Sequence, residues 1–148
     1  MKNKLLFVLL ISFATYSLAC EKEISEQLLE MEQRWNSQGS VNYTYVVKKQ
    51  CFCAPDYTRT MSVSVIANEV VSANYVDTGM PVPDNIVKQL ATISEWFHQI
   101  LLATDNKLGE VNAVYDQTFG YPTSISIDQH KRRSDDEYTI VISELTKQ

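Results

Sequence analysis

Two thiols separated by one residue, Cys51-Phe52-Cys53, are the most distinctive chemistry in this chain. In an extended strand, residues two apart point to the same face, so both sulfurs fall together. Two extended residues span about 6.6 Å, the upper edge of the Cα separation that a disulfide accepts. A bond between them therefore needs a local kink. Lys48-Lys49-Gln50 breaks the strand pattern ahead of the pair, and Ala54-Pro55-Asp56 reads as a turn behind it. A ring this small is comparatively easy to reduce, which makes a redox-active dithiol one reading. Against it, thiol oxidoreductases place Cys-x-x-Cys at a helix N-terminus, where the dipole lowers the thiol pKa. Here the pattern predicts a strand end with no helix after it. A structural disulfide is the favoured reading; a reduced buried pair, a redox pair and a metal-binding pair remain open.

The other reactive side chains form weaker patterns. His98 and His130 are the only histidines, and neither has His-x3-His or Cys-x2-Cys company that would signal zinc. They read as surface or helix-flank residues. Asp135-Asp136-Glu137 lacks the alternating ligands and glycine of a calcium loop and follows a basic run, Lys131 to Arg133, across the single residue Ser134. Glu110, Asp116 and Asp128 are the carboxylates that could pair as general acid and base, provided the fold brings two of them across a cleft. Nucleophile elbows, Ser-x-x-Lys motifs and phosphate-cradling glycine loops are missing. The eight tyrosines are a candidate binding face, although such residues more often line a sheet with the hydroxyl at the edge of the core. The expectation is a protein without a cofactor and without a catalytic residue set.

The third cysteine carries a different chemistry. Lys2 and Lys4 precede an uncharged, largely apolar stretch from Leu5 to Ala19, which is too short to span a bilayer. It ends Ser17-Leu18-Ala19-Cys20. A small residue followed by Cys after such a stretch resembles the bacterial lipobox, in which the Cys thiol receives a diacylglycerol and the new amino terminus is acylated. Ser17-x-Ala19 also satisfies an ordinary signal peptidase. Lipidation of Cys20 leaves an even pair of thiols for an oxidising compartment, whereas plain cleavage leaves three. The reading is a leader over residues 1–19, a lipidated Cys20 with a short tether over 20–24, and one domain over 25–148. Glu21 after the Cys favours the outer membrane, facing the periplasm; a secreted or soluble periplasmic form is the alternative.

The elements that must hold these residues follow from periodicity. Ile24, Leu28, Met31 and Trp35 form one apolar stripe, predicting a helix over 25–38. Three alternating runs follow, at 43–47, 61–65 and 70–76, and then an irregular linker over 78–84. Thr92-Ile93-Ser94-Glu95 is a capping-box pattern, with Ile93, Trp96, Phe97, Ile100 and Leu101 as the apolar stripe behind it. Three more strands are expected, at 111–116, 124–128 and 138–142. Val41-Asn42 and Val111-Asn112 hold matching places in the two halves, a hint of duplication. One wet and one dry face per strand means an antiparallel sheet covered on one side. The predicted fold is α+β, about six antiparallel strands with two helices on one face, in the order α-βββ-α-βββ.

Composition limits the function classes. A 148-residue chain that is 45% hydrophobic supports one domain with a real core. A net charge of -5 argues against nucleic-acid binding, and loss of Lys2 and Lys4 with the leader makes the mature chain more acidic still. An acidic domain is repelled by anionic lipid, so the membrane is held through the acyl chains at Cys20.

A set of landmarks then resembles a known family. The lipobox-like start, Trp35 before Tyr43-Thr44-Tyr45, the Cys51-Phe52-Cys53 pair, Trp96-Phe97, and Tyr115-Asp116 leading to Gly120-Tyr121-Pro122-Thr123 and Asp128 are together similar to a family of bacterial lipoproteins and secreted proteins known only as a domain of unknown function. The resemblance covers about residues 28–144. It implies no activity, so the matching residues mark membership rather than catalysis. The expected function is a non-enzymatic binding module of the cell envelope, with an envelope protein or a cell-wall component as partner. The alternative is a thiol-dependent redox or metal-handling protein using Cys51 and Cys53.

Overall fold

The computed structural model describes residues 26–105, 109–130 and 135–148. The leader, Cys20, the tether and residues 131–134 of the basic run lie outside them. The described part of the first helix, α1, covers residues 26–37 and buries Leu28, Met31 and Trp35, three residues of the expected stripe. The strands are β1 (Tyr43–Cys51), β2 (Met61–Ile66), β3 (Glu69–Tyr75), β4 (Glu110–Tyr115), β5 (Pro122–Asp128) and β6 (Tyr138–Lys147). Between them stand α2 (Pro55–Thr58), α3 (Asp84–Val87) and α4 (Ile93–Asp105).

The six strands make one antiparallel sheet in the order β3-β2-β1-β6-β5-β4. Each half is a three-stranded meander, β1-β2-β3 on one side of the sheet and β4-β5-β6 on the other. The seam between them is β1 against β6, from Tyr43 opposite Lys147 to Cys51 opposite Tyr138. The first and last of the described strands thus meet at the sheet centre. Apart from Lys49 on β1, the residues these strands turn inward are mainly apolar: Tyr43, Tyr45 and Val47; Met61, Val63 and Val65; Ile125 and Ile127; Ile140 and Ile142. Their neighbours on the open face are mainly Ser, Thr, Asn and Val.

Four expectations need correction. The order gains two single-turn helices, α2 and α3, which are too short to show a 3.6-residue period. Lys48-Lys49-Gln50 does not interrupt β1, because a one-sided sheet accepts polar residues outward and Lys49 lays its ammonium over the Tyr138 ring, 5.0 Å from its centre. Leu101 is 43% exposed, since one further step of the helix rotates it past the edge of the stripe that buries Ile100. The duplication pairing also fails at the residue level. Val41-Asn42 precedes β1, and Val41 is exposed, whereas Val111 is buried inside β4.

The start of α4 is held from the sheet. The Ile93 N–H donates to the Tyr43 hydroxyl at 2.9 Å, and the Tyr45 hydroxyl donates to the Ala91 carbonyl. The capping box closes as expected. Glu95 N–H donates to Thr92 Oγ1 at 3.2 Å, and Thr92 N–H donates to the Glu95 carboxylate at 2.7 Å. Two backbone donors that the helix leaves open are thereby satisfied, and α4 is fixed over β4 and β5, where Phe97 stacks on Tyr115 at 5.9 Å.

Candidate ligand-binding cleft

The C-terminal half of β1 turns Val47 and Lys49 toward the helix layer, on the same side as Cys51. Met61 lies opposite Val47 on β2, and Ile140 lies opposite Lys49 on β6. These side chains floor a cleft of about 110 Å³. Its walls come from all three later helices: Tyr57 of α2, Ile86 of α3 with Gln89 and Leu90 just beyond it, and Trp96 and Gln99 of α4, with Tyr138 closing the β6 side. Two more open, more polar hollows lie elsewhere, one beside Trp35 and Ser94 and one beside Glu69 and Lys88.

The polar groups of the cleft divide into bound and free. Asn85 Nδ2 donates to the Tyr57 hydroxyl at 3.4 Å, and Gln89 Nε2 donates to the Asn85 carbonyl at 2.9 Å. The Trp96 indole N–H lies beside the Tyr45 hydroxyl, buried, without reaching hydrogen-bond geometry. Burial pushes the Tyr138 phenol up. Lys49 is the one charged side chain of the lining, and among the described residues no carboxylate pairs with it. Carboxylates, thiols, hydroxyls of Ser or Thr, and imidazoles are all missing from this lining. It can hold a small apolar group beside the Lys49 ammonium and the Tyr57 and Tyr138 rings.

Cys51 ends β1 opposite Tyr138 of the cleft wall, and Cys53 follows in the turn. Their sulfurs meet in a disulfide contact with Cα atoms 5.4 Å apart, shorter than two fully extended residues, so the expected kink is present. The kink has a use: it ends β1 and lets α2, with Pro55 in its first turn, fold back so that Tyr57 reaches the cleft. A one-turn helix therefore does follow the pair, contrary to expectation, although four residues are too few for a useful dipole. Phe52, at the tip of the ring, is 84% exposed, and Cys53 is exposed beside it.

The other candidates are placed elsewhere. His98 is exposed on α4. His130 is half-buried, with Nδ1 at 2.9 Å from Asp136 Oδ2. Glu110 and Asp128 are directly opposite each other on β4 and β5, at the end of the open face rather than across a cleft. Asp116 is at the other end of β4, where its carboxylate accepts from the Thr118 and Phe119 N–H groups and organises a turn. Among the described residues the tyrosines do not gather on one exposed face: Tyr43, Tyr45, Tyr75, Tyr115 and Tyr121 are buried, and Tyr57 and Tyr138 are half-buried beside the cleft. The cleft itself was not legible in the sequence, because Ile86 and Gln89 lie in the stretch after the linker, where no helix was expected.

The landmark Tyr115-Asp116…Gly120-Tyr121-Pro122-Thr123 is the β4–β5 connection. Asp116 N–H donates to the Tyr121 carbonyl at 2.9 Å, and Gly120 N–H donates back to Asp116 at 2.8 Å. The Arg34 guanidinium of α1 donates to the Gln117 carbonyl, and Tyr121 meets Trp35 edge-on at 6.4 Å. A family model described as a family of unknown function, DUF6174, matches residues 27–147. The chain belongs to that family. The matched span of this DUF6174 chain begins inside α1 and ends on the last residue of β6, so it takes in the whole sheet, the cleft and the cysteine pair. No curated protein and no solved structure matches the chain. The DUF6174 landmarks around Asp116 and Gly120 have a structural role here, seating α1 on the second meander.

Proposed function

We propose that this DUF6174 protein is an extracytoplasmic lipoprotein, acyl-anchored at Cys20, whose domain is a non-enzymatic binding module of the cell envelope. The observation that supports binding over catalysis is the cleft under Tyr57, Trp96 and Tyr138, which is mainly apolar, carries a single lysine, and has no carboxylate, imidazole, thiol or aliphatic hydroxyl in its lining. Its volume of about 110 Å³ suits one ring or one branched side chain of a partner, less than the several hundred Å³ of an ordinary substrate pocket. The anchor is supported by Ala19-Cys20 behind the apolar leader, and Glu21 favours the outer membrane.

Two measurements test the reading. Mass spectrometry of protein extracted from membranes is expected to find a triacylated Cys20; an unmodified soluble chain beginning at Cys20 overturns the anchor. A photo-crosslinker at Gln89 in whole cells is expected to give a discrete adduct that Leu90→Trp, which fills the cleft, abolishes. An adduct indifferent to Leu90→Trp removes the cleft from the function.

A second reading rests on one observation, the exposure of Cys53 and Phe52. It opens the Cys51–Cys53 bond to attack by an external thiolate, as disulfide exchange requires. Alkylation before and after reduction decides it. Both thiols free in freshly isolated envelope protein eliminates the structural disulfide; both protected, with binding retained in the Cys51→Ser, Cys53→Ser double variant, eliminates exchange as the function.

A further inference from the structure

We infer that the cleft is selective for an apolar group that bears a carboxylate. The inference rests on the reading of the cleft as the binding site and adds its ligand chemistry. Lys49 occupies a strand position whose neighbours, Val47 and Cys51, share the helix-facing side, where the other strands place Met, Val and Ile. Lys49 is half-buried as a residue, and its ammonium lies over a ring, Tyr138, beside the apolar floor rather than against an acid. The acidic residue of α2, Asp56, is engaged by Arg59 at 3.9 Å, and Arg59 itself is bonded to Asp77 at 2.7 Å. One uncompensated cation beside space for a single ring is complementary to an anion attached to that ring, because a charge-assisted hydrogen bond is strong where water is partly excluded. The same chemistry reaches the cleft from two sources, a free aryl or branched-chain carboxylic acid, or the C-terminal residue of a peptide.

The experiment is a chemical-shift titration of the mature protein in detergent, following the methyl groups of Ile86, Leu90 and Ile140. The probes are phenylacetate, benzyl alcohol and phenethylamine, then Ala-Ala-Phe with a free and with an amidated C-terminus. Phenylacetate is expected to bind at least about fivefold more tightly than the alcohol or the amine, with that advantage lost in Lys49→Met, which keeps most of the aliphatic stem. Tighter binding of the free-ended tripeptide than of phenylacetate, with the amide weak, assigns the peptide source; the reverse order assigns the free acid. Equal binding of all three ring probes, or selectivity that survives Lys49→Met, overturns the inference and leaves the cleft as an apolar site. No perturbation of the three residues by any probe overturns the cleft reading together with the inference.

Discussion

Trp96 and Phe97 show how much a single residue carries here. They are adjacent on α4 and both buried, Phe97 against Tyr115 and Trp96 at the roof of the cleft. Truncation of either to Ala removes the contacts of a large ring and leaves a cavity, so a loss of about 3–5 kcal/mol is expected in urea unfolding. A loss below about 1 kcal/mol for both would contradict the observed packing. Gly120 is the opposite case, a residue whose value is its missing side chain. Its φ is +87°, and an added Cβ would collide with the Met31 carbonyl oxygen and approach the Trp35 nitrogen at 2.9 Å. Gly120→Ala is expected to cost about 2–4 kcal/mol and to loosen α1 first, read as faster amide exchange over residues 28–35. The burial of Trp35, Trp96, Phe97 and Ile100 was legible from their helical spacing alone. The collision at Gly120 was not, because its partner lies far away in the chain on α1.

At the scale of elements, local signals divide by length. The thirteen-residue α4 announced itself through Thr92-x-x-Glu95, and Thr92→Ala is expected to lower stability by about 1 kcal/mol by freeing one donor of the first turn. The β2–β3 hairpin carries a local conflict. It turns at Ala67 and Asn68, with φ of 52° and 61°, a conformation that favours glycine and asparagine over alanine. The conflict is held in place from outside, by Ala67 N–H on Asn42 Oδ1 and Asn68 N–H on the Val41 carbonyl, both at 2.8 Å. Ala67→Gly is therefore expected to raise stability by about 0.5–1 kcal/mol, measurable as a higher urea midpoint with an unchanged slope. The Cys51–Cys53 ring closes a very short loop and removes little chain entropy. Its loss in the double Ser variant is expected to cost no more than about 1–2 kcal/mol. The single-turn α2 and α3 left no periodic trace, and they exist because the sheet and α4 give Tyr57 and Ile86 something to cover.

For the molecule as a whole, the buried tyrosines set the upper pH limit of the fold. Loss of water around the hydroxyl pushes Tyr43 and Tyr115 up to about 12, and Tyr45 is raised further still. The folded protein thus keeps phenolic protons that the unfolded chain releases above about pH 10, so the unfolded state binds fewer protons there. Stability is fully present below pH 10 and is lost as pH rises from 10 through about 12, by about 1.4 kcal/mol per pH unit for each such tyrosine. Urea unfolding between pH 9 and 11.5, with phenolate absorbance recorded alongside, checks this. Ionisation of these three in a still-folded protein would contradict their burial. Asp77 acts at the other end. Its bond to Arg59 lowers its pKa, so that surface contribution is present above the usual carboxylate range and fades as pH falls through the depressed value.

Alternation and helical period along the chain were enough for an α+β fold, for which residues face inward, and for the capping box, because each is decided within ten or so neighbouring residues by steric and solvation preferences. The kink at Cys51-Phe52-Cys53 was likewise required by the reach of two residues. Three things needed the tertiary structure. The pairing of β1 with β6 joins the ends of the domain, and both strands carry the same alternating pattern as their neighbours, so nothing local selects that partner. Lys48-Lys49-Gln50 became strand because β6 supplied its hydrogen bonds. The cleft exists only where residues from three strands and three helices converge, and the lysine that defines its chemistry is distinguished by which way its strand position faces and by the acid it lacks.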